Sequence, residues 1–204
     1  MKRNLLVASG NKGKIREIRK FLEDLDDKIA FNIIGMDKYP ELDEVIEDGD
    51  TFEANALKKA RTRAEETGLL SLADDSGLVV DCLAGEPGVY SARYAGEDAS
   101  DEDNNRKLRE NLKDVPREER TARFKCVMAL VDPESGDEIV VDGSCEGIME
   151  LEPRGENGFG YDPLFFVPEY EKTMAQLPLE VKNKISHRAN ALKKMKEALN
   201  ERYS

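Results

Sequence analysis

The sequence predicts an α/β protein built on a mixed sheet, and three observations carry that class. A short apolar segment, Asn4 to Ala8, gives way to a glycine loop and then to apolar residues at helical spacing. A helical stripe of Phe52, Ala56, Ala60 and Ala64 runs on into an apolar strand. Two long alternating segments flank a turn at Pro133 to Asp137, one carrying Ala122, Phe124, Cys126, Met128 and Leu130, the other Ile139, Val141, Gly143, Cys145 and Gly147. Alternation on both sides of a short turn is the pattern of an antiparallel pair.

Taken in order, Asn4 to Ala8 is a short buried strand. After the loop, Ile15, Ile18, Phe21, Leu22 and Leu25 recur at helical spacing. A polar stretch with Pro40 follows, and Asp50-Thr51 precedes the second helix, which Gly68 is placed to cap. Leu69 to Ala73 is an apolar strand that stops at Asp74-Asp75-Ser76-Gly77, and Leu78 to Leu83 is a further one. Gly85, Pro87 and Gly88 break the chain. Ser100 with Asp103 forms a capping-box pattern ahead of a helix carrying Leu108 and Leu112. Beyond the hairpin, a glycine-rich stretch from Gly155 to Gly160 leads through Tyr161-Asp162-Pro163 to a strand at Leu164 to Val167. Leu192, Met195 and Leu199 mark a last helix, with Ser186 at its N-cap.

A chain of 204 residues is one large domain or two closely packed lobes, and residues 1–204 are treated as a single unit of function. No apolar run approaches the roughly 20 residues that a membrane helix needs, and Leu5 to Ala8 is too short for a signal peptide. A cytoplasmic protein is expected. The net charge of −12 argues against a general grip on nucleic acid, which draws on an excess of Lys and Arg. It leaves room for a small anion held by a local cluster. Cys82, Cys126 and Cys145 form no CxxC pair and are expected to be buried reduced thiols. A single histidine excludes a zinc site built on two or more.

Four stretches could carry chemistry. In SGNKGK, Ser9, Gly10, Asn11, Lys12, Gly13 and Lys14 make a loop between a strand and a helix, where free backbone N–H groups and the helix dipole favour an anion. It is not a Walker A loop, which has four residues between its glycines and Ser or Thr after the lysine. In LADDSGL, two acids stand at a strand end, a place where α/β proteins put ligands. If both continue the strand, Asp74 and Asp75 point to opposite faces. The plain alternative is a turn in which one acid caps its own backbone. Glu47, ahead of the second helix, could join one of these acids in binding Mg²⁺, which takes a few carboxylates, waters and substrate phosphates. Otherwise it is a solvated surface acid. In GFGYDP, Phe159 or Tyr161 could stack on a flat ligand that Gly158 and Gly160 let approach, or the stretch is a tight turn with core aromatics. In KNKISHRA, Lys182, His187 and Arg188 bring three donors within seven residues. His187 and Arg188 fall in the first turn of the last helix, where cations oppose the dipole unless an anion or carbonyl is bound. An exposed basic helix start is the alternative.

The motifs SGNKGK, ADDSGL, GVYSARYAG, FGYDP and KNKISHR stand in the order found in the inosine triphosphate pyrophosphatase family, which this chain resembles from about Ser9 to Arg188. One departure is visible. The family's second helix often opens Thr-Phe-x-Glu-Asn-Ala, and here Thr51-Phe52-Glu53-Ala54-Asn55-Ala56 carries the acid one place earlier. The resemblance implies a two-lobed mixed sheet with flanking helices around a long cleft, in a homodimer. It implies hydrolysis of ITP, dITP or XTP between the α and β phosphates. By position, Asp75 would be the catalytic base, and Glu47 with Asp75 the Mg²⁺ ligands. Ser9 to Lys14, Ser76, Phe159, Gly160, Tyr161, Asp162, Lys182, His187 and Arg188 would bind substrate. Two alternatives stay open: a Maf-type nucleotide pyrophosphatase, whose first loop typically reads Ser-x-Ser-x-Arg-Arg, and a nucleotide sensor without catalysis.

Overall fold

The computed structural model describes residues 3–10, 14–15, 18–19 and 31–203. Asn11, Lys12 and Gly13 of the glycine loop, and Phe21, Leu22 and Leu25 of the first helical pattern, lie outside the described residues. The described strands are β1 (Arg3–Val7), β2 (Phe31–Gly35), β3 (Leu70–Val80), β4 (Thr121–Val131), β5 (Glu138–Met149), β6 (Phe165–Val167) and β7 (Lys172–Thr173). The helices are α1 (Phe52–Thr67), α2 (Asp101–Leu112), α3 (Leu179–Ile185) and α4 (His187–Tyr203). Residues 14–15 and 18–19 are also helical.

The strands form a seven-stranded sheet in the order β2-β1-β3-β4-β5-β6-β7. Both β2 and β3 pair with β1 in parallel, whereas β6 pairs antiparallel with β5 and β7. The sheet is therefore mixed, and the α/β class holds. The chain divides into two compact units: residues 1–75, 126–143 and 191–204 form the first, and residues 76–125 and 144–190 the second.

In the first unit each face of the sheet buries its own layer. Leu5, Val7, Leu70, Leu72, Cys126, Met128 and Leu130 pack with Ile18 and with Leu192, Met195 and Leu199 of α4. On the other face, Ala56, Ala60 and Ala64 of α1 lie against Ala73, Val127 and Ala129. Alanine at this spacing brings the helix backbone close to the sheet, which matters for the polar groups that α1 carries. Thr51 caps α1 by accepting the Ala54 N–H, and Gly68 closes it at φ 66. In the second unit, Leu78, Val80, Phe124, Met149 and Phe165 of the strands meet Leu108 and Leu112 of α2. The expected capping box of Ser100 and Asp103 starts α2, and Ser186 Oγ accepts the Ala189 N–H at the start of α4.

Two expectations need correction. Leu70 to Val80 is one unbroken strand of 11 residues, with no turn at Asp74–Gly77. Parallel pairing with β1 covers its first residues, and Leu78 and Val80 bury its last, so the apolar drive continues past the acids. Of the three free cysteines, Cys126 and Cys145 are buried as expected, but Cys82 is exposed, in a short 3-10 turn after β3.

Candidate active site

Because β3 continues through them, Asp74 and Asp75 fall on opposite faces. Asp74 shares its face with Leu70 and Leu72. There Lys14 Nζ lies 3.0 Å from Asp74 Oδ2, and Cys126 Sγ lies 4.0 Å from it. Asp75 shares the other face with Ala73, under α1. The one-residue alternation thus separates two carboxylates that sequence places side by side.

Asp75 is buried, and α1 surrounds it with polar groups. Asn55 Nδ2 donates to Asp75 Oδ2 at 3.0 Å, and Asn55 Oδ1 accepts the Gly49 N–H at 2.8 Å. One turn further on, Lys59 Nζ stands 3.0 Å from Glu47 Oε1 and 3.8 Å from Asp75 Oδ1. Burial pushes the Asp75 carboxyl up to about 6; Lys59 pulls it back, Glu47 adds to the rise, and Asn55 and Lys14 oppose it. A carboxylate so placed is a stronger base than an ordinary aspartate. Gly49 is required here, since a Cβ would fall 2.7 Å from Asn55 Oδ1.

This cluster holds the expected Glu47 and Asp75. Sequence reading gave no role to Lys59, Gly49 or Asn55. Lys59 flanks the alanine stripe of α1, where a lysine is usually a solvated neighbour of the buried face. Only the sheet's acid shows otherwise. Glu53 and Ala54, where this helix departs from the family's usual opening, are both exposed, whereas Asn55 is buried. Among the described residues no group of three or more His, Cys, Asp and Glu is arranged to hold a metal. The donor set is two carboxylates with a cationic Lys59 between them. Ser9 and Gly10 follow β1, with the Ser9 N–H donating to the Val7 carbonyl at 3.0 Å.

The second unit carries the remaining candidates in two sets, Phe159, Asp162 and Lys182 in one and Ser76 and Arg188 in the other. Asp162 Oδ2 accepts both the Lys182 ammonium at 2.5 Å and the Phe159 N–H at 3.0 Å. Lys182 Nζ also stands 4.8 Å from the centroid of the Phe159 ring. Gly158, at φ 87, permits this closure: a Cβ there would lie 2.0 Å from Asp162 Oδ2. The two aromatics divide. Tyr161 is buried in the core, and its hydroxyl donates to the Ser91 carbonyl at 2.7 Å. Phe159 is 44% exposed, an aromatic ring held by its backbone with a face to solvent.

His187 and Arg188 are both buried, so this is no exposed basic helix start. The His187 ring stacks on Phe124 with centroids 5.0 Å apart. Arg188 donates to Ser76 Oγ at 3.3 Å. Arginine can only donate, so this group selects an acceptor on any ligand it meets.

Comparison with known proteins gives the family. The Ham1 family model matches residues 5–198. The chain is similar to a dITP/XTP pyrophosphatase of Geobacter sulfurreducens, at 55% identity over 96% of both chains. A dITP/XTP pyrophosphatase of Desulforamulus reducens is 52% identical over 98% of this chain and 96% of its own. The solved structure of the Staphylococcus aureus Ham1 protein superposes with a TM-score of 0.87 at 42% identity, covering 98% of this chain and 99% of that one. Neither the Maf-type nor the sensor alternative is favoured by these matches.

Proposed function

Since the chain belongs to the Ham1 family, we propose that it hydrolyses deaminated purine nucleoside triphosphates, ITP, dITP and XTP, to the monophosphate and pyrophosphate. It is a nucleoside triphosphate pyrophosphatase. The observation that carries the mechanism is Asp75, a buried carboxylate faced by Asn55, Lys59 and Glu47.

Water attacks the α phosphorus, the bond from that phosphorus to the bridging oxygen breaks, and pyrophosphate leaves. Asp75 takes the proton from the attacking water, with Asn55 fixing the carboxylate's orientation. Glu47 and Asp75 would hold Mg²⁺, which when bound neutralises phosphate charge and aligns the reacting groups. Lys14 and the loop from Ser9 to Gly13 hold the triphosphate, and Lys59 adds positive charge beside the acids. Ser76, Phe159, Gly160, Asp162, Lys182, His187 and Arg188 serve the nucleoside end: Phe159 stacks on the base, and Arg188 donates to a ring carbonyl, while Tyr161, in the core with its hydroxyl on the Ser91 carbonyl, supports the loop and does not touch the ligand. Adenine presents an amino group at position 6, where hypoxanthine and xanthine present oxygen. Donor against donor leaves a buried polar group unmatched at about 1–3 kcal/mol, or about 5- to 150-fold.

The protein acts in the cytoplasm and as a homodimer in this reading, which the family resemblance supports. Among the described residues no helix is long and apolar enough to cross a membrane, and light scattering of the purified protein tests the dimer. The function itself is tested by pyrophosphate release from ITP, dITP, XTP, ATP, UTP and dTTP, with and without Mg²⁺. Turnover of ITP, dITP and XTP ahead of ATP, dependent on Mg²⁺, is expected. Faster turnover of UTP or dTTP than of ITP, or survival of ITP, would overturn it.

A further inference from the structure

The loop that presents Phe159 is held from outside. The Gly160 N–H donates to Asp101 Oδ2 at 2.7 Å, and the Gly160 carbonyl accepts from Asn105 Nδ2 at 2.9 Å. Both polar groups of one peptide position are therefore tied to α2. Asp101 and Asn105 stand four residues apart on that helix, so they share a face.

This attachment matters because Gly160 has freedom to lose. It sits at φ 59 with nothing within 4 Å of where a Cβ would be, so neither a side chain nor close packing fixes it. A cavity of about 390 Å³ lies beside the loop, lined by Asp101, Asn105, Phe159 and Gly160 among others. Hydrogen bonds rather than contact must hold the loop on that side. The helix supplying them is rigid at both ends: the Ser100–Asp103 capping box fixes its start, and Leu108 and Leu112 are buried in the core. On its other side the loop is tied by the bond from the Phe159 N–H to Asp162. Phe159 thus stands between two anchors, and its ring is the part left exposed.

We propose that Asp101 and Asn105 are positioning residues for the nucleobase: they set where Phe159 stands and so govern affinity for the substrate, not the hydrolytic step. The proposal rests on the reading above that Phe159 stacks on the base. A loop already ordered pays no ordering cost when substrate binds. Cutting either bond moves that cost into binding, so KM rises while kcat stays.

Steady-state hydrolysis of ITP by the full-length Asp101→Ala, Asn105→Ala, Asp101→Asn and Phe159→Ala variants tests it, each assayed well below its melting temperature. Asp101→Ala and Asn105→Ala should each raise KM about tenfold with kcat within about twofold of the parent. Asp101→Asn keeps an oxygen for the Gly160 N–H and should restore KM to within about twofold. A role confined to the helix dipole would lower the melting temperatures of Asp101→Ala and Asp101→Asn alike and leave the KM of both alone, which overturns the proposal. If Phe159→Ala raises KM and neither alanine variant on α2 does, the proposal falls and the stacking role stands. If Phe159→Ala leaves KM unchanged, the stacking role falls and takes the proposal with it. A loss carried by kcat alone also overturns it.

Discussion

Asn55 Nδ2 lies 3.0 Å from Asp75 Oδ2, and the same amide accepts the Gly49 N–H at 2.8 Å. One buried side chain thus joins the segment before α1 to the acid in the middle of β3. Replacing it by Leu, similar in volume, strands a buried carboxylate and a backbone N–H. Asn55→Leu should lose about 1–3 kcal/mol of stability and lower kcat for ITP by about 10²-fold, the low end of what a misoriented general base costs. Chemical denaturation and initial rates measured on the same preparation check both.

Gly158 should tolerate no side chain. The Cβ of an alanine there would fall 2.0 Å from Asp162 Oδ2 and 3.1 Å from Lys182 Nζ, at a φ of 87 that alanine rarely adopts. Gly158→Ala should therefore separate Asp162 from Lys182 and from the Phe159 N–H. The expected result is a KM for ITP raised by about tenfold or more, together with a lower melting temperature. Inhibition by inorganic pyrophosphate, which has no base, should be unchanged.

The cap of α2 should show in the pH dependence of stability. The Ser100 hydroxyl, the Ser100 N–H and Arg106 hold the Asp103 carboxyl down at about 2, below its ordinary 3.8. A depressed carboxylate stabilises the fold above its unfolded value, and that contribution disappears as pH falls through the folded one. Asp103→Asn should therefore be less stable than the parent above pH about 4, with the difference closing between about 4 and 2. Melting temperatures of both proteins across that range measure it.

Gly147 carries a packing prediction in the second unit. A Cβ at this position would stand 2.5 Å from the Phe165 ring and 2.6 Å from the Phe166 carbonyl. Both belong to β6, whose pairing with β5 is only a few residues long. Gly147→Ala should cost about 1–3 kcal/mol as overpacking, with KM and kcat for ITP little changed below the melting transition.

Much of this architecture was legible in the sequence, because it rests on period and punctuation. The alanine stripe gave α1 its buried face, Thr51 and Gly68 its ends, and Ser100 with Asp103 the start of α2. The middle of β3 was not legible. Two acids followed by Ser-Gly have the composition of a turn, and only the neighbouring strands and the apolar residues on either side make them strand. The site divided in the same way. Asp75, Lys182 and Arg188 stand in distinctive motifs, whereas Glu47 is one acid among many and only the family resemblance singles it out. Lys59 and Asn105 occur on helices with ordinary charged and polar surfaces, and their partners lie 12 to 55 residues away in the chain. No local pattern encodes that distance. Tyr161 and Phe159 were equal candidates in sequence, and burial alone separates them: one fills the core, the other faces solvent.

The most direct measurement of the central claim is the turnover of ITP by Asp75→Asn, set beside ITP binding to the same variant. The amide keeps the shape of the side chain and an oxygen for Asn55, but it cannot take a proton from water. With Mg²⁺ present, pyrophosphate release should fall by about 10³- to 10⁴-fold while ITP still binds within an order of magnitude of the parent. Turnover within twofold of the parent would contradict the assignment of Asp75 as the base.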